Sequence, residues 1–191
     1  MRKIVGLLVL VYAGWAGSAS AATLVVSGGQ LMGATGVEVN GASYDVEFLD
    51  GSCNSLFNNC TDFTFTTSST SQDASQALLD QVFIGVYDTS PALTNGIETS
   101  YQGIIFTPYG RRGSLEFDQT YARNKSGTGD EIQPGYFKRS YDLSANTGSA
   151  FARWSPASVS AVPLPAAAWL FISAIVGLTG AKRMSRSKGT A

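Results

Sequence analysis

Hydrophobic and polar positions alternate with a period of two through the middle of this chain and run unbroken only near its two ends. The clearest alternation is Ser43–Phe48, where Tyr44, Val46 and Phe48 share one face and Asp45 and Glu47 the other. It follows Val37–Val39 and Asn40-Gly41, a dipeptide that suits both positive-φ positions of a type I′ turn, so a hairpin is expected. Further strands are expected within Thr23–Val26, Asp62–Thr66, Glu98–Thr107, Ser114–Asp118, Tyr136–Leu143 and Ala150–Trp154. Gly28, Gly29, Gly33 and Gly36 break the pattern after the first of these. Ala74, Ala77, Leu78 and Val82 predict one short amphipathic helix over about Gln72–Phe83, capped by Ser71 or Asp73. Thr67–Ser71, Pro108–Gly113 and Ala122–Gly135 read as polar loops. Short strands separated by frequent turns predict a mainly β, β-sandwich-like domain with one short helix.

The two unbroken apolar runs have different flanks. Arg2 and Lys3 precede an apolar core from Ile4 to about Trp15, and small residues follow to Ala22. This is the layout of a secretory signal peptide over 1–22, with cleavage expected between Ala22 and Thr23 and alternatively after Ala21. No Arg-Arg pair is present, so the general secretion translocon is the expected partner. At the other end, Val162–Ala181 carries no charge, and twenty residues rise about 30 Å as a helix, the thickness of a bilayer core. Pro163 and Pro165 fit only the first turn of such a helix, so a rigid stem should lead into a single transmembrane helix over about 165–181. Lys182, Arg183, Arg186 and Lys188 follow at once, a stop-transfer tail that holds the C-terminus inside.

Setting these segments aside changes the charge. The whole chain has a formal net charge of −1, but Arg2, Lys3 and the four tail residues lie in the targeting segments. The part between them keeps seven basic residues against all fourteen acidic ones, a net charge near −7. That argues against nucleic acid as a partner. The organisation is then a β-rich ectodomain over 23–154, a small-residue linker over 155–161 and the C-terminal segment over 162–191. Cys53 and Cys60 are the only cysteines, and in an exported chain that spacing is best read as a local disulfide.

Val162, Pro163, Leu164, Pro165 and Ala166, with the helix and basic tail behind them, resemble the PEP-CTERM class of bacterial sorting signals in its Val-Pro-Leu-Pro-Ala variant. The resemblance covers roughly residues 160–188, and Leu164 stands where the commoner form has Glu. It implies recognition by an exosortase-type membrane peptidase, removal of the tail, and delivery of the ectodomain to the cell surface or the extracellular polysaccharide matrix. A plain single-pass anchor is the alternative. A sortase signal would need Leu-Pro-x-Thr-Gly, whereas Leu164-Pro165 is followed by alanines. A lipid-anchor signal normally ends without basic residues.

Chemistry is sparse. The chain has no histidine, which removes Ser-His-Asp and Cys-His catalysis and histidine metal sites. No P-loop, dinucleotide fingerprint or H-E-x-x-H occurs. The expectation is therefore a non-enzyme with no cofactor. Asp45, Glu47, Glu116 and Asp118 could pair across strands as hydrolase carboxylates, although alternating acidic residues usually form a solvated face. A loose calcium site near Asp45–Asp62 is a further candidate. Tyr87, Tyr101, Tyr109, Tyr121, Tyr136, Tyr141 and Trp154 could stack sugars, and Arg111-Arg112 and Lys138-Arg139 could meet acidic polysaccharide. The leading expectation is a structural or adhesive surface protein; the second is a carbohydrate-binding module, and the third a carboxylate-dependent hydrolase.

Overall fold

The computed structural model describes residues 21–127 and 129–158. Residues 1–20, the sorting motif and the basic tail lie outside the described residues.

The expected hairpin forms. Strand β2 (Gln30–Val39) turns through Asn40 and Gly41, at φ 52° and 78°, into β3 (Ala42–Leu49), with Val39 opposite Ala42. Both central residues have the positive φ that a type I′ turn demands. Strand β1 (Thr23–Ser27) precedes β2 across a two-residue Gly28-Gly29 turn. Gly33 and Gly36 do not end the strand as expected; β2 runs through both. Gly36 sits where the β2–β3 register slips, and its N–H donates to Asp45 Oδ1 at 3.0 Å, which satisfies the backbone at the bulge.

The second half of the sheet is a meander of β4 (Gln102–Arg112), β5 (Glu116–Lys125) and β6 (Glu131–Lys138). These strands take in much of what reads as loop in the sequence. β4 continues through Pro108 with an irregularity before Gly110, and β6 includes Pro134 on the outermost strand, where proline is tolerated. The last strand, β7 (Ser149–Pro156), enters between β3 and β4, antiparallel to the first and parallel to the second. It includes Ser155 and Pro156, which the sequence assigns to the linker.

The seven strands form one mixed sheet in the order β1-β2-β3-β7-β4-β5-β6, in place of the two facing sheets of a sandwich. The reason lies in what covers its faces. On one face, Val46, Phe48, Ile105, Ala122, Ala150 and Ala152 pack under a helix. On the other, Phe106, Phe117 and Phe151 pack under the cysteine loop.

The helix starts earlier than its apolar residues suggest. Helix α2 runs Ser68–Ala77 and continues as a π-helical turn over Leu78–Val82, and Thr67 caps it by accepting from the Thr70 N–H. The Ser/Thr run expected as a loop is therefore its first turn. Two of its serines face inward: Ser71 and Ser75 are fully buried, and the Ser71 hydroxyl donates to the Thr107 carbonyl at 2.7 Å. α2 touches β4, β5, β6 and also β2. Four strand spacings separate β2 from β5, about 19 Å, against a helix about 10–12 Å across, so the sheet curls around the helix.

Asp62–Thr66 forms no strand. It carries the chain from one core to the other: Phe63 packs on Phe57 under the cysteine loop, while Phe65 meets Tyr44 and Trp154 on the helix side. Its alternation serves two clusters rather than one sheet face. Two further short helices, α1 (Cys53–Leu56) and α3 (Val86–Thr89), lie in connections.

Candidate functional site

A groove of about 620 Å³ opens on the sheet face away from α2. Its floor comes from β2 and β3, with Val25 of β1 and the end of β7; its wall is the cysteine loop, through Leu56 and Phe57, and the segment after it, through Asp62 and Thr64. Three carboxylates line it. Asp45 is held by the Gly36 N–H, and Glu47 is paired across strands with Arg153 at 2.6 Å. Asp62 stands exposed on the loop side. The Thr64 hydroxyl donates to the Trp154 carbonyl and ties the wall to the floor.

The wall is built from local rules. Ser52 caps α1 through a capping box with Ser55. Asn58, Asn59 and Cys60 then take positive φ of 46°, 57° and 58°, a left-handed turn that asparagine tolerates better than most residues. The turn brings Cys60 back to Cys53, and the two are joined in a disulfide with both residues fully buried. Arg139 reinforces the closure. Its guanidinium donates to the carbonyls of Asn59 and, at 3.0 Å, Ser114, while its own carbonyl accepts from the Asn54 N–H at 3.1 Å. Arg139 is 8% exposed. The sequence offers it as half of a surface basic pair; here it is a structural residue, and Lys138 alone of that pair is exposed.

The other candidate residues are dispersed. β3 and β5 are separated by β7 and β4, so Asp45 and Glu47 do not meet Glu116 and Asp118. They also lie on opposite faces, because Glu47 alternates with the helix-side Val46 and Phe48 whereas Asp118 is in phase with the helix-side Ala122. Asp118 instead pairs with Arg112 at 2.7 Å, a bond that raises the Arg112 pKa. Among the described residues no group of three or more His, Cys, Asp or Glu side chains is placed to hold a metal ion, so Asp45 and Asp62 form no such cluster.

The exposed tyrosines do not share a face either. Tyr136 stacks against Arg112, with 4.5 Å from the guanidinium carbon to the ring centre. Tyr141 packs edge-on against Phe137, whose side chain alternates with that of Tyr136, and Tyr101 precedes β4. Trp154 is buried and donates to the Thr107 hydroxyl at 3.3 Å. Of the two residues at the expected signal-cleavage point, Ala22 packs partly against the core and Thr23 opens β1. Thr64 and Arg153 were not legible as groove residues; nothing in the local pattern marks them. No family model, no curated protein and no solved structure matches this chain.

Proposed function

We propose that this chain is an exported bacterial surface or extracellular-matrix protein whose ectodomain is structural or adhesive. In this reading Val162–Ala166 is the sorting motif of a PEP-CTERM-type signal, the following helix and Lys182, Arg183, Arg186 and Lys188 hold the chain in the inner membrane, and an exosortase-type peptidase removes them. The secretion translocon and that peptidase are its partners in transit, and extracellular polysaccharide is a partner at its destination. The observation that carries export is the buried Cys53–Cys60 bridge, since disulfides persist in oxidising compartments and are rare in the cytosol. The acidic charge of the ectodomain supports a soluble, solvated surface module. The three exposed tyrosines, Tyr101, Tyr136 and Tyr141, are not gathered on one face, which weighs against the second reading, a sugar-stacking module.

Intact-mass measurement of the protein released from the cell surface tests the sorting reading. The expected mass lacks the basic tail. A mass that includes Lys182–Ala191 leaves a plain single-pass anchor.

A further inference from the structure

The two edges of the sheet are built differently. At one edge β6 carries Glu131, Lys138 and Pro134, and Glu131 is engaged by Arg123 and Lys125. Charge and proline on an outermost strand are the usual means of preventing another strand from adding to it. At the other edge β1 has none of these. Its five residues, Thr23-Leu24-Val25-Val26-Ser27, contain no charge and no proline, and β2 is its only strand partner among the described residues. Val25 is 43% and Val26 47% exposed, on a strand whose outer backbone groups have no ladder partner among the described residues.

We propose that β1 is a pairing surface for a second copy of this chain, joined edge to edge by an antiparallel β1–β1 ladder about a two-fold axis. The strand is self-complementary in that arrangement. A register centred on Val25 sets Val25 against its own copy, Leu24 against Val26 and Thr23 against Ser27. Every cross-strand pair is then apolar–apolar or hydroxyl–hydroxyl, and no like charges face each other. This matters in an ectodomain of net charge near −7, because β1 carries none of that charge. The two-fold pairing uses up the open edge of both copies, and the guarded β6 edge opposes further growth, so assembly stops at a dimer.

Five residues span about 17 Å, so the ladder is short and its area falls below that of a standard stable interface. Pairing is accordingly weak in dilute solution and increases with local concentration, as when copies are crowded on one surface. It does not depend on how the C-terminal segment is processed.

The test uses the exported chain carrying Val25→Cys, oxidised and run without reductant, beside sedimentation equilibrium of the unmodified chain. Expected are a reductant-sensitive dimer through position 25 and a mass that rises with concentration towards two copies. Adding Val26→Lys should lower the cross-linked fraction severalfold while the fold is retained. Leu115→Cys, at a site 75% exposed and away from the edge, measures random collision. A chain that stays monomeric at its highest soluble concentration overturns the proposal. So does cross-linking at position 25 no greater than at position 115.

Discussion

The guanidinium of Arg139 donates to the carbonyl of Asn59, a residue eighty positions earlier in the chain. That bond places a buried cation on a left-handed turn and holds the cysteine loop against the start of β5. Removing it should cost more than a surface contact. Arg139→Met leaves two carbonyls, of Asn59 and Ser114, without their charged donor, and a loss of about 3 kcal/mol is expected by denaturant unfolding. Arg139→Lys should recover only part of this, because an ammonium lacks the planar fork that reaches both acceptors.

The pair Glu47–Arg153 is the contrasting case. Both side chains are about half exposed, at 54% and 48%. Glu47→Gln should therefore change stability by less than about 1 kcal/mol, and the difference should shrink at high salt. A larger, salt-independent loss measured by the same unfolding experiment would show that the groove floor depends on this pair.

Gly33 tests the β2–β3 contact. A Cβ built on it would lie 2.0 Å from the Val46 carbonyl oxygen, at a φ of 157°. Backbone on both sides leaves nothing flexible to yield. Gly33→Ala should destabilise the domain by about 3 kcal/mol or more, read from the denaturation midpoint.

The disulfide should contribute through the unfolded state. Replacing Cys53 and Cys60 together by serine should cost about 2 kcal/mol, because the closed loop is short. Alkylation of the unfolded, unreduced wild-type chain should label neither cysteine. Quantitative labelling would contradict the bridge.

Asp50 predicts a pH dependence. Burial, and then the charges of Asp142 and Glu98, raise its pKa above the usual carboxylate value. The folded state thus holds the Asp50 proton more tightly than the unfolded chain does. The stability it contributes is present at low pH and is lost as pH rises through its folded titration. Asp50→Asn should raise the melting temperature near pH 7, and the gain should fade below about pH 4. Asp142 runs the other way: bonds from the Ser144 hydroxyl and N–H lower its pKa, so its contribution is lost as pH falls. Melting curves of Asp50→Asn against wild type across this range separate the two.

How much was legible in the sequence follows the range of the interactions concerned. The Asn40-Gly41 hairpin was readable because a type I′ turn is decided by two adjacent residues. The Cys53–Cys60 bridge was readable because seven positions of sequence keep the partners together. The mainly β character was readable from alternation alone.

Tertiary structure decided what covers each face and which strands become neighbours. Ser71 and Ser75 look solvated in sequence, yet both are buried: small side chains let α2 approach β4 and β5, and the Ser71 hydroxyl bonds to the Thr107 carbonyl. Phe63 and Phe65 alternate like a strand, yet they serve two cores. The insertion of β7 between β3 and β4 joins the N-terminal hairpins to the C-terminal meander, and it sets Trp154 opposite Val46 and Ala150 opposite Ile105. Local pattern can state that a stretch is extended and which side of it is apolar. It cannot choose the partner, because every strand edge offers the same backbone groups, and the choice falls to side-chain packing between residues a hundred positions apart in the chain.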